Sequence, residues 1–193
     1  MSAEPAGRNV ILGVTGSIAA YKAASILRGL TARGHPVQVV MTPNAQRLVS
    51  ATTFRSLSGR PVVTEMFPDE RQTGLQHIEL AEWVAAGPGG PGGVLAVAPA
   101  TANFIGKAAN GIADEILSCT WMACDCPKLL APAMNDRMWA AAPVRRNCDY
   151  LRGLPQVTFV EPVEGRLASG RMGMGHLAPV ELIVQAIHAL AGG

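Results

Sequence analysis

The nine residues Ala131-Pro-Ala-Met-Asn-Asp-Arg-Met-Trp139 carry the densest chemistry in the chain. They follow Lys128-Leu-Leu, an apolar run that reads as a buried strand, and they lead into a helix-like segment. In an open α/β sheet, ligands collect beyond the carboxyl ends of the strands. Asn135 therefore offers an amide, both donor and acceptor, where a substrate should sit. Met138, three residues on, would share its face of the first helical turn, with Met134 just before it. The pattern points to a small-molecule enzyme.

Two other strand ends carry polar groups. Gly13-Val-Thr-Gly-Ser-Ile-Ala19 reads as a strand–turn–helix junction whose backbone amides could hold a phosphate. Ser17 is a helix cap, a phosphate ligand, or both. The next strand ends at Thr42, not at the acidic residue that would hold a dinucleotide ribose, which favours a mononucleotide. Pro99-Ala-Thr-Ala-Asn103 brings a hydroxyl, an amide and helix-start NH groups to a third strand end, although Thr101 could equally serve as a cap. Lys107 and Asn110 read as the surface and end of the helix that follows.

The four histidines divide. His35 and His188 read as structural or solvated, and His176, closing a glycine-rich stretch, stays open between roles. His77 gains weight only from the resemblance described below. Cys119, Cys124, Cys126 and Cys148 lack a second pair or a His at zinc spacing, so free thiols are expected, with no metal and no disulfide.

These groups must be held by a core. With 193 residues, 49% hydrophobic and 16% charged, the expectation is a single globular domain over 1–193, with 1–8 disordered. Strands at Val10–Val14, Pro36–Met41, Val94–Ala98, Leu129-Leu130 and Val157–Val160 alternate with helical patterns. These cover residues 18–30, 44–49 and 52–57, a stretch running toward Asn110-Gly111, then 112–122 and 180–190. Between residue 57 and Val94 the chain reads as loop-rich, with Gly87-Pro-Gly-Gly-Pro-Gly-Gly93 as a surface linker. Residues 165–176 read as a mobile substrate flap, not as a regular element. Alternation of this kind predicts an α/β fold with a parallel sheet covered on both faces. A net charge of +2 without a basic cluster gives no nucleic-acid footprint. No apolar run is long enough to span a membrane, and Met1–Asn9 lacks a signal core, so a cytoplasmic location is expected.

Gly16-Ser-Ile-Ala-Ala20, His77-Ile-Glu-Leu80, Ala98-Pro-Ala-Thr-Ala-Asn103, Gly111-Ile-Ala-Asp-Glu115 and Pro132-Ala-Met-Asn135 with Met138 occur in this order across most of the chain. Together they resemble the homo-oligomeric flavin-containing cysteine decarboxylases. The resemblance implies a flavodoxin-like (Rossmann-type) three-layer sandwich, assembled as a trimer or dodecamer with FMN, or alternatively FAD, near a subunit boundary. It implies that Gly16, Ser17, Ile18, Thr42, Ala100, Thr101 and Asn103 hold the flavin. His77 would be the active-site base or orienting group. Asn135 would bind the cysteine carboxylate, with Met134 and Met138 shaping the pocket.

The implied chemistry is sound. An α-amino carboxylate loses CO2 only if the electrons left behind have somewhere to go. Oxidising the cysteine Cβ–S unit to a thioaldehyde provides that sink, and the product is an enethiol. The cofactor supplies the redox step while the protein positions and desolvates.

The resemblance also places a reducing Cys where this chain, reading Leu167-Ala-Ser-Gly170, carries Ser169. A hydroxyl cannot replace a thiol in that role. On that ground the first expectation is oxidative decarboxylation of a precursor peptide's C-terminal cysteine to an aminoenethiol, beside partner enzymes that build an aminovinyl-cysteine ring. Ser169 would then contact substrate. The alternative is phosphopantothenoylcysteine decarboxylation in coenzyme A synthesis. A third reading is a non-catalytic flavin-binding regulatory subunit.

Overall fold

The computed structural model describes residues 7–67, 75–87, 92–166 and 170–192. Five strands form one parallel sheet: β1 (Val10–Val14), β2 (Val37–Met41), β3 (Val94–Ala100), β4 (Lys128–Pro132) and β5 (Val157–Phe159), in the order β2-β1-β3-β4-β5. β1 and β3 are buried along their whole length, as expected of strands covered on both faces.

Successive side chains alternate between two cores. Val10, Leu12 and Val14 pack with α1 (Ala23–Ala32), α3 (Ala51–Ser58) and α9 (Val180–Leu190) through Ile26, Leu30, Phe54 and Ile183. Ile11, Leu95 and Val97 face the other way. They meet α4 (Gln76–Val84), α5 (Ala102–Asn110), α6 (Ile116–Ala123) and α8 (Ala142–Arg152) through Val84, Phe104, Leu117 and Leu151. The chain is a three-layer α/β sandwich of flavodoxin-like strand order, and its direction of winding reverses between β1 and β3.

Side-chain caps set most helix starts. Ser17 caps a 3₁₀ helix at Ile18–Lys22. Thr42 caps α2 (Pro43–Gln46), and Ser50 caps α3. Thr101 caps α5, and Asn135 caps α7 (Asp136–Ala140). The expected helix at 112–122 begins later, at Ile116. Gly111, at φ 70°, ends α5 in the left-handed conformation, and Glu115 with Ser118 builds a capping box that restarts the chain. The piece expected at 44–49 is a single turn at Pro43–Gln46.

Two expectations need correction. The stretch between residue 57 and Val94 contains α4, whose inward stripe of Leu80, Ala81 and Val84 is too short to stand out. Residues 165–176 are not devoid of regular structure: β6 (Val163–Arg166) and β7 (Met172–His176) form an antiparallel hairpin. Its glycines hide strand propensity, but Met134 N–H donates to Gly175 O at 3.0 Å and ties β7 to the end of β4. Residues 167–169 lie outside the described residues, so the flap tip and Ser169 go without a structural account. Of the segment 1–8, Gly7 and Arg8 are described, and the Arg8 carbonyl accepts from His35 Nδ1 at 2.9 Å. Among the described residues, no helix is long and apolar enough to cross a membrane.

Candidate functional site

A cleft of about 440 Å³ opens beyond the carboxyl ends of β1, β3 and β4, at the point where the winding reverses. Its floor is set by a buried hydroxyl. Thr15 Oγ1 donates to Pro99 O at 2.7 Å and accepts from Thr101 N–H at 3.0 Å, locking the β1 and β3 ends together. Gly16 then passes so close to Asn44 that a Cβ on Gly16 would lie 2.5 Å from the Asn44 Cβ. A side chain there would push the loop off α2 (Pro43–Gln46).

The cleft collects Gly16, Ser17 and Ile18 from the first loop, Thr101 from the second, and Met134, Asn135 and Met138 from the third. Ser17 Oγ accepts from Ala19 N–H at 3.3 Å and Thr101 Oγ1 from Phe104 N–H at 3.3 Å, so both are caps that also face the cleft. Asn135 Oδ1 accepts from Arg137 N–H at 3.0 Å, and Met138 is 47% exposed on the same short helix.

Four expected residues do not line it. Thr42 caps α2 through Ala45 N–H, beside the end of β1. Ala100 is wholly buried, and its carbonyl accepts from Ala133 N–H at 3.0 Å. Asn103 is exposed on α5, away from the lining. His77 sits in the first turn of α4, on the opposite face of the sheet from α1 and α9. Its Nδ1 and the neighbouring Gln76 Oε1 are buried without a hydrogen-bond partner among the described residues. Such orphaned atoms are uncommon, and ask what else reaches them.

The cleft also holds two cations that sequence reasoning passed over, Lys22 and Arg166, beside His176, whose role it left open. Among the described residues, no Asp or Glu lines it. The available signal was Lys22, the one charged residue of the 3₁₀ turn after Ser17. Elsewhere His35, buried, bonds His188 Nδ1 at 2.8 Å and is structural as expected. Lys107 pairs with Asp114 at 2.6 Å, and this ammonium holds the Asp114 carboxyl below its ordinary range.

All four thiols are free, and none lines the cleft. Burial pushes Cys148 up to about 11, and burial also raises Cys119. Cys124, hydrogen-bonded to Cys126 and buried, is pushed far above the ordinary thiol range. Among the described residues, no cluster of His, Cys, Asp and Glu could hold a metal ion.

With loops of this kind on this sheet, similarity to known proteins becomes interpretable. The chain is 43% identical over 92% of its length to the coenzyme A biosynthesis bifunctional protein CoaBC of Bacillus subtilis (strain 168). It is 39% identical, also over 92%, to the same protein of Mycolicibacterium smegmatis. It spans about two fifths of the length of these relatives, 42% and 40% respectively. Among solved structures it matches the FMN-dependent cysteine decarboxylase SpaF (TM-score 0.80, 31% identity, 98% of this chain and 100% of that one). It equally matches a cysteine-to-serine mutant of a PPC decarboxylase complexed with pantothenoylaminoethenethiol (TM-score 0.80, 28% identity, 97% and 100%).

The coenzyme A relatives overturn the expectation of a peptide substrate. That expectation leaned on Ser169, which lies outside the described residues. The Flavoprotein family model matches residues 2–192, and the chain belongs to that family, among flavin-dependent cysteine decarboxylases.

Proposed function

We propose that the chain binds FMN and decarboxylates phosphopantothenoylcysteine. The observation that carries this reading is the coincidence of coenzyme A relatives, matched over nine tenths of the chain, with a cleft whose described lining holds cations and no carboxylate. A substrate bearing both a carboxylate and a phosphate suits such a lining.

The residues fit a flavin. Gly16, by leaving room for Asn44, lets the first loop sit against α2 at the cleft edge, while Ser17 and Thr101 line the cleft with their hydroxyls. Ile18 offers an apolar side chain, 63% exposed, for a ring to cover. Thr42 and Ala100 support these loops from behind, and Asn103 sits further out on α5. Bound flavin would supply the two-electron redox chemistry that lets CO2 leave. Asn135 binds the substrate carboxylate with its amide, held in place by the bond between its Oδ1 and Arg137 N–H. An uncharged amide grips the carboxylate without the deep stabilisation an Arg would impose, so CO2 departs more readily. Met134 and Met138 exclude water from the reacting carbons.

His77 does not line the cleft of its own chain, so its role as base or orienting group requires a homo-oligomer in which it serves a neighbouring copy. The exposed Phe67, Leu75 and Ile78 near it in the chain support that assembly.

The test incubates flavin-loaded protein separately with phosphopantothenoylcysteine and with a peptide ending in Cys, followed by mass spectrometry. Loss of CO2 from phosphopantothenoylcysteine is expected. Turnover of the peptide alone, or of neither compound, would overturn the proposal.

A further inference from the structure

Lys22 and His176, far apart in sequence, meet inside the cleft, with Lys22 Nζ 2.9 Å from His176 Nε2. An ammonium has only donors, so Nε2 must accept. The imidazole hydrogen then sits on Nδ1, which donates to the Arg166 carbonyl at 3.2 Å. His176 is thereby a strut between the β6 backbone and the lysine. Glycine makes the room: a Cβ on Gly165 would lie 2.7 Å from His176 Cγ.

The strut uses one of the three ammonium hydrogens of Lys22, a cleft-lining residue, and leaves two for a ligand. Neither Lys22 nor Arg166 takes part in an ion pair among the described residues. Two cations facing a cleft whose described lining has no carboxylate ask for an anion of more than one charge.

We propose that Lys22 and Arg166 form the subsite for a phosphomonoester, with His176 as the residue that positions Lys22. The inference rests on the decarboxylase reading, which brings two phosphomonoesters to this cleft, the flavin's and the substrate's. The substrate's is the one assigned here. Ser17 and Gly16 face the cleft from the start of the 3₁₀ turn and are left for the flavin, whereas Lys22 lies at its far end, next to the hairpin. Asn135 and the cations, on separate elements, then divide the two anionic groups of one substrate between them.

The test titrates flavin-loaded protein by calorimetry with phosphopantothenate and with pantothenate, neither of which can react. Wild type should prefer the phosphorylated ligand. Lys22→Gln and Arg166→Gln should each weaken it by about ten- to a hundredfold, the range for one charge-assisted hydrogen bond, and leave pantothenate unchanged. His176→Leu should reproduce part of the Lys22 loss, and His176→Gln, which keeps an acceptor, should restore it. Melting curves and flavin absorbance confirm folding and loading.

Equal weakening of both ligands would overturn the assignment. So would loss of flavin on dilution with discrimination intact, since the cations would then hold the flavin phosphate. If wild type decarboxylates phosphopantothenoylcysteine yet the variants still discriminate, the subsite fails and the proposed function stands. If wild type binds neither ligand and turns over neither substrate, both fail together.

Discussion

Replacing Asn135 by Asp separates its two tasks. As a helix cap, Asn135 accepts from Arg137 N–H at 3.0 Å, and a carboxylate oxygen can take over that bond. Asp and Asn cap equally well, whereas Ala costs about 1 kcal/mol. For a domain of this size that loss lowers Tm by about 2–4 °C. Facing the substrate carboxylate, however, the introduced side chain would be a like charge. Two unit charges about 4 Å apart at an effective dielectric of about 20 repel by about 4 kcal/mol. That corresponds to roughly a thousandfold in kcat/KM. Asn135→Asp should therefore melt with wild type, keep its flavin and lose about a thousandfold in kcat/KM. Asn135→Ala should lose both stability and activity. The assays are thermal melting, flavin absorbance and steady-state decarboxylation on the same preparations. An Asn135→Asp protein that turns over within about tenfold of wild type would refute the carboxylate role. One that melts as low as Asn135→Ala would refute the capping argument.

Gly175 has φ 124°, and a Cβ there would run into the Met134 carbonyl. Gly175→Ala should cost more than about 1 kcal/mol and detach β7 from the Met134-Asn135 loop, read as a lower Tm together with lower turnover. Glu115→Ala removes a capping box in which the carboxylate accepts from Leu117 and Ser118 N–H at 3.2 and 3.1 Å. A Tm loss of about 2–4 °C is expected in melting curves. Burial raises the Glu115 carboxyl above its ordinary range despite these bonds. Its ionisation therefore lowers stability as pH rises from the ordinary carboxylate value through the raised one. Denaturant titrations of Glu115→Gln across that window should show a shallower decline than wild type. Native protein should react slowly with a thiol reagent at mildly alkaline pH, because Cys124, Cys126 and Cys148 are buried and the thiol of the more accessible Cys119 is raised. Fast labelling of all four would contradict the packing of α6 and α8.

Much of the fold was legible because its signals are local. Fully apolar runs such as Val10–Val14 and Val94–Ala98, too short for helices and flanked by turn residues, read as strands buried on both faces. Ser, Thr and Asn ahead of helical patterns favour caps, so Ser17, Thr101 and Asn135 were read as strand-end polar groups and found as such. The α4 helix and the hairpin were not legible. One buries only a short stripe, and the other is built from glycines whose strand pairing depends on a partner segment.

The local order of residues alone determined the alternation of strand and helix, the three polar strand ends and their likeness to a flavoprotein. Tertiary structure decided which of those residues share a cleft. It joined Thr15 to Pro99 and Thr101, brought Lys22 to His176 across 154 positions, and left His77 on α4, outside the cleft lining. The physical reason is that a hydrogen bond or a shared cavity depends on distance in space, which only the packing of the whole sheet sets. Substrate choice belongs to the same class. The fold is shared by cysteine decarboxylases of more than one kind, and in the reading proposed here discrimination falls to the cations that it gathers at the cleft.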